Sequence, residues 1–283
     1  METLVVAALQ LALNAPDEAD NIAAVAALVE DAAARGAKIV LPPELFAGPY
    51  FCAVEDEALF ALARPLGESA SVREMQKLAK ALGVAIPTSF FERDRHHYYN
   101  SLAMIDAGGE VLGVYRKSHI PDGPGYEEKF YFRPGNTGFK VWDVCGARIG
   151  VGVCWDQWFP EAARAMALMG AEMLFYPTAI GSEPYDPDFD TSRIWRRAML
   201  GHAASNCLPV ISANRIGEEH GQRFYGHSFI CDQWGDFLCE YGREESGALV
   251  ATLDLAAARR HRAGMGFFRD RRPELYRRLA EDV

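Results

Sequence analysis

The chain has 283 residues, 49% hydrophobic and 24% charged, the make-up of a globular protein able to bury a sizeable core. Its 29 Lys and Arg against 39 Asp and Glu leave a formal net charge of −10, which argues against nucleic acid or an anionic membrane as partner, because both would repel it. No apolar run approaches the roughly 18 residues of a membrane span, and the six cysteines show neither a C-x-x-C pair nor zinc-like spacing, so reduced thiols in a cytoplasmic protein are expected.

The N-terminal METLVVAALQLALNAP has the apolarity of a secretory signal, but Glu2 stands where that signal carries positive charge, and TLVVAALQL reads as a buried first strand. Residues 17–35 have helical periodicity, with Asp17 or Asp20 as N-cap and Gly36 as stop. KIVLPPE (38–44) is a buried-strand run ended by two prolines. SASVREMQKLAKALG (69–83) predicts an amphipathic helix capped by Ser69 or Ser71 and ended at Gly83, and VAIPTSFFE returns as strand. NSLAMIDAGGEVLGVYRK (100–117) predicts a hairpin turning at Gly108-Gly109.

A second round follows. FKVWDVCGARIGVGVC reads as strand, turn near Gly146 and strand, and residues 159–169 as a helix with Pro160 in its first turn. GAEMLFYPT (170–178) echoes GAKIVLPPE (36–44): a helix-ending Gly-Ala, a short apolar strand, then proline. Residues 193–206 predict another helix and LPVISANR another strand. The alternation predicts a layered α/β fold with two similar halves in one domain. The arginine-rich tail from about 259 reads as a solvated or subunit-bridging segment, since the acidic remainder disfavours a nucleic-acid patch.

Several familiar sites are absent: no G-x-S-x-G elbow, no P-loop and no H-E-x-x-H, and GPGYEE holds only a lone G-x-G. Neither a metal nor a cofactor has support. Four segments remain. PPELF places Glu44 directly after a strand, YRKSHIP places Lys117 at the end of another, GYEEKFYFRPGN carries Glu127 and Glu128 beside aromatics, and GVGVCWDQWFPE places Cys154 at the end of a fourth run. In open α/β sheets, active sites gather beyond the carboxyl ends of strands, so an acid, a cation and a thiol far apart in sequence can converge there. Each alone also reads blandly, as a capping or surface carboxylate, a solvated strand end, or a small buried hydrophobe.

Together these segments resemble the nitrilase superfamily of carbon–nitrogen hydrolases. The marks of that family are a Glu after a P-E strand end, a Lys in Y-R-K-x-H and a Cys in G-x-x-x-C-W/Y-D. They stand here in family order as Glu44, Lys117 and Cys154, with the second glutamate at Glu128 and the similarity running to about residue 254. The resemblance implies a four-layer αββα sandwich, one domain over residues 1–283 whose extension from about 255 takes part in subunit contacts, and a homo-oligomer built from dimers. It also implies thiol-dependent amide hydrolysis. Cys154 is then the nucleophile, Glu44 the proton carrier, Lys117 an oxyanion donor, and Glu128 the group holding Lys117 and the amide in register. A carboxylate beside a thiol raises its pKa, so Glu44 is expected to take the proton as attack proceeds, with the N–H of Trp155 as second oxyanion donor.

YRKSHIPDGPGYEEKFYFRPGNTGF, PTAIGSEP, WRRAMLGHAASNCLPVISANRIG and FFRDRRPELY resemble the branch of that family that converts N-carbamoylputrescine to putrescine, ammonia and carbon dioxide. An ω-amidase, a β-ureidopropionase-like carbamoylase and a catalytically dead scaffold are the alternatives, the last disfavoured by the intact Glu-Lys-Cys set. The residues point the same way: the loop after LFYPT carries Glu183, Asp186, Asp188 and Asp190, which suits a small cationic ureido substrate. Glu183, nearest the strand end, is expected to meet its ammonium, and Tyr50, Trp155 and Thr178 to line the pocket.

Overall fold

Strands that are apolar on both faces need a cover on each side, and that requirement sets the architecture. The computed structural model describes residues 2–186 and 188–281. Its first half runs β1 (Thr3–Gln10), α1 (Glu18–Ala34), β2 (Ile39–Leu41), α2 (Ala70–Leu82), β3 (Ile86–Asp94), β4 (His97–Ile105), β5 (Val111–Arg116) and the single turn α3 (Glu128–Tyr131). The second runs β6 (Val141–Val144), β7 (Ala147–Val151), α4 (Pro160–Leu168), β8 (Met173–Thr178), α5 (Ser192–Asn206) and β9 (Val210–Asn214). The chain closes with β10 (Ile216–Glu219), β11 (Gln222–Tyr225), β12 (Phe229–Cys231), β13 (Phe237–Glu240), β14 (Gly247–Asp254) and α6 (Leu255–Met265).

Helix ends follow the capping chemistry. The Asp17 side chain accepts from the N–H of Ala19 before α1, and Ser69 accepts from Val72 before α2. Gly83 ends α2 at φ 66°, a left-handed C-cap that glycine adopts without a Cβ clash.

Twelve of the strands form two sheets, and β10 and β11 pair with each other as a separate antiparallel hairpin. In one, β14-β1-β2 is continued through an Ile39–Ala85 bridge into β3-β4-β5. In the other the order is β13-β12-β9-β8-β7-β6. The centres match: β1 and β2 are parallel neighbours joined by α1, as β7 and β8 are by α4, so the Gly-Ala strands of the sequence echo occupy equivalent places. Successive residues of β1 point to opposite faces. Val6 and Ala8 enter a core shared with Ile149, Val151 and Phe175 of the second sheet, while Ala7 and Leu9 pack with Val25 and Val29 of α1 and Met75 of α2. On the far face of the second sheet, Leu174 and Tyr176 meet Met166, Trp195 and Met199 of α4 and α5. The layers are therefore helix, sheet, sheet, helix: a four-layer αββα sandwich. Among the described residues no helix is long and apolar enough to cross a membrane.

Candidate active site

The carboxyl ends of β2, β5 and β7 meet at one end of the sandwich, two from the first sheet and one from the second. Pro42 and Pro43 end β2 and release Glu44 from the ladder. Lys117 follows β5, held by its own N–H on the Asn100 carbonyl (2.9 Å) and by its carbonyl under the N–H of Gly135 (2.8 Å). A Cβ on Gly135 would lie 2.0 Å from the Arg116 carbonyl oxygen, so only glycine permits this approach. Glu128 opens α3, and Cys154 opens a short 3₁₀ turn (Cys154–Trp158) at φ 41°. That left-handed conformation costs a non-glycine residue about 1–3 kcal/mol and places the thiol on the cleft wall while its residue stays 4% exposed.

Glu44, Lys117 and Glu128 are fully buried and bonded to one another. Lys117 Nζ donates to Glu44 Oε1 (2.9 Å) and to both oxygens of Glu128 (2.9 and 2.7 Å). Asn100 Nδ2 donates to the same Glu44 oxygen (2.7 Å), which leaves Glu44 Oε2 buried without a protein partner. Burial would depress the Lys117 ammonium, but Glu128 and Glu44 overturn this and hold it well above its usual range. Burial raises the Glu128 carboxyl, with Lys117 opposing. The Cys154 thiol is pushed well up, first by burial and then by Glu44, against the pull of Lys117. With two carboxylates already around one ammonium, a thiolate would add a second unbalanced negative charge, so the resting group is the thiol.

Residues that the sequence did not single out hold this arrangement. Asp156, fully buried, joins the Cys154 turn to Tyr115 and His119, two positions to either side of Lys117. Its Oδ2 accepts from the N–H of Val153 (2.9 Å) and the hydroxyl of Tyr115 (2.7 Å); its Oδ1 accepts from the N–H of His119 (3.0 Å) and lies 2.7 Å from His119 Nδ1. The aspartate of CWD was visible in the motif, but its partners lie 37 and 41 residues away.

Cys154 opens onto a cleft of about 350 Å³, a usual size for a small-molecule site. Trp155, Trp158, Tyr126 and Ile180 supply apolar wall, and Asp122 and Glu183 supply carboxylates; among the described residues no Lys, Arg or His lines it. Burial raises the Glu183 carboxyl. Of the other loop acids, Asp190 caps the N–H of Ser192 and pairs with Arg243 at 2.5 Å, whereas Asp186 and Asp188 are exposed. Tyr50 and Thr178 stand behind the lining: the Tyr50 hydroxyl donates to Glu128 Oε1 (2.7 Å) and that of Thr178 to Gln157 Oε1 (3.0 Å). Both hydroxyls are spent on holding neighbours. Among the described residues no group of three or more His, Cys, Asp or Glu is placed to hold a metal ion.

Comparison with known proteins places this geometry. The carbon-nitrogen hydrolase family model matches residues 5–263. The N-carbamoylputrescine amidase of Arabidopsis thaliana is 53% identical over 98% of this chain and 95% of its own. The citrullinase of Francisella tularensis is 52% identical over 98% of both. Among solved structures, a carbon-nitrogen hydrolase from Helicobacter pylori G27 superposes with a TM-score of 0.93 at 36% identity, covering 99% of each chain.

Proposed function

Because the chain belongs to the carbon-nitrogen hydrolase family, we propose that it hydrolyses N-carbamoylputrescine to putrescine, ammonia and carbon dioxide, with Cys154 as nucleophile. One observation carries the choice of substrate: among the described residues, the walls of the cleft onto which Cys154 opens carry two carboxylates, Asp122 and Glu183, and no Lys, Arg or His. A four-carbon chain ending in an ammonium satisfies both conditions. Citrulline bears the same ureido group but ends in an amino acid, and 3-ureidopropionate ends in a carboxylate alone; each brings an anion that this lining cannot pair.

The chemistry uses Cys154, Glu44 and Lys117 in turn. As Cys154 Sγ attacks the ureido carbon, its proton passes to Glu44, whose Oε2 is free to receive it. Lys117 Nζ and the N–H of Trp155 take the developing oxyanion. The terminal C–N bond breaks and ammonia leaves with the proton from Glu44. An S-linked N-alkyl thiocarbamate remains. Water, deprotonated by Glu44, then adds to it, and Cys154 departs with the proton. The released carbamic acid loses carbon dioxide to give the diamine.

Steady-state turnover tests the assignment. N-carbamoylputrescine is expected to exceed citrulline, 3-ureidopropionate and 2-oxoglutaramate in kcat/KM by about tenfold or more, the equivalent of one mispaired charge. A higher value for any of the three overturns it. Glu183→Gln is expected to raise KM about tenfold with a smaller effect on kcat, because the contact is remote from the reacting bond; an unchanged KM removes Glu183 from substrate binding.

The setting follows from the same chemistry. All six cysteines are free thiols, which supports a cytoplasmic protein. Exposed Leu168 and Met169 at the end of α4, with Phe267, Leu275 and Leu279 of the C-terminal segment, support assembly through dimers, which light scattering distinguishes from a monomer.

A further inference from the structure

We propose that the hairpin β10–β11, with Arg215 just before it, is a two-armed brace that positions the proton carrier on one side of the cleft and the amine-binding loop on the other. The proposal rests on the roles given above to Glu44 and Glu183.

The first arm is the pair Arg215 and Glu219, fully buried and 2.7 Å apart. Arg215 Nη2 donates to the carbonyls of Glu44 (2.8 Å) and Leu45 (3.0 Å), and Nη1 to that of Gly48 (3.2 Å). Glu219 Oε2 accepts from the N–H of Tyr50 (2.5 Å). Segment 44–50 is not a regular element: it includes Leu45 at φ 47°, and its backbone polar groups need partners that no ladder supplies. One guanidinium and one carboxylate therefore set both ends of the segment that carries Glu44 and Tyr50. Tyr50 in turn bonds Glu128 beside Lys117.

The second arm leaves the other strand. Gln222 Nε2 donates to the Tyr126 hydroxyl (2.6 Å) and to the Ser182 carbonyl. The same hydroxyl accepts from the N–H of Gly181 (2.8 Å), and the N–H of Ser182 donates to the Arg223 carbonyl (2.7 Å). A Cβ on Gly181 would fall 2.1 Å from the Arg223 oxygen, so loop and strand touch at the backbone. Glu183 directly follows Ser182.

A buried ion pair contributes little net stability compared with well-packed apolar side chains, whereas removing one partner leaves an uncompensated charge. That contrast separates positioning from support. The double variant Arg215→Met/Glu219→Met removes both charges together but leaves the backbone groups of Glu44, Leu45, Gly48 and Tyr50 without these partners. It is therefore expected to lower Tm less than Arg215→Met alone while kcat falls about 10–100-fold with little change in KM, as for a displaced catalytic group. Gln222→Met is expected to do the reverse, raising KM about fivefold or more with a smaller change in kcat, as for a loosened binding loop. Equal fractional losses in both parameters for the two variants, or an unchanged kcat in the folded double variant, would overturn the brace. Should the double variant fail to fold, Glu219→Asp, which shortens the reach to Tyr50, is expected to show the same fall in kcat, and wild-type kinetics there overturn the first arm. The assays use whichever ureido substrate the wild-type protein turns over best. A wrong substrate assignment then shows as poor wild-type turnover of N-carbamoylputrescine, distinct from any failure of the brace.

Discussion

Glu44→Gln is expected to leave the fold intact and to lower kcat by about 10²–10⁴-fold, the usual contribution of a positioned general acid–base. The amide keeps the shape of the carboxyl and one oxygen for Asn100 and Lys117, so the bonds to Oε1 survive. It cannot take the thiol proton. The electrostatics give this variant a second, opposite readout. Glu44 raises the Cys154 pKa, so neutralising it brings the thiol down and shifts the pH profile of Cys154 alkylation by iodoacetamide toward lower pH. Easier thiolate formation together with collapsed amide turnover is the expected signature of a base. Preserved turnover with the same alkylation shift would reduce Glu44 to a charge that suppresses the thiolate.

Lys117→Met is expected to cost both rate and stability. The variant loses an oxyanion donor, worth about 10²–10³ in kcat. It also strands Glu44 and Glu128 as buried carboxylates without their counter-ion, at about 3–5 kcal/mol. The Cys154 thiol moves further up, since Lys117 is the charge that lowers it. Denaturant midpoints separate the two losses. Adding Glu128→Gln to Lys117→Met removes one stranded charge and is expected to recover part of the stability and none of the rate. Recovery of turnover in the double variant would mean that Lys117 serves only to neutralise Glu128.

The strand ends were legible because the chain punctuates them. Pro42-Pro43 after IVL, the polar Arg-Lys-Ser closing the apolar run of β5 and the Cys-Trp-Asp that follows β7 place Glu44, Lys117 and Cys154 at one edge. The helix caps Asp17, Ser69 and Gly83 were readable for the same local reason. What depends on distant partners was not. Asp156, Asn100 and Arg215 act through residues 37 to 171 positions away, and buried arginine runs against the usual exposure of that side chain. Residues 216–254 hold five strands of three to eight residues, several of them too short for a period to stand out, so their pattern predicts no element. Tyr50 and Thr178 sit near the expected place, yet their hydroxyls are committed to Glu128 and Gln157, a commitment that only the packed site reveals.

Two buried thiols feel the charges of this site, Cys154 and Cys52, the latter raised by burial and then by Glu128. Ammonia release from N-carbamoylputrescine by Cys154→Ala, beside Cys52→Ala at matched folded concentration, separates them. No release above the uncatalysed rate from the first and retained release from the second is the predicted result. Turnover that survives the loss of Cys154 would return it to the core and contradict the assignment of the nucleophile.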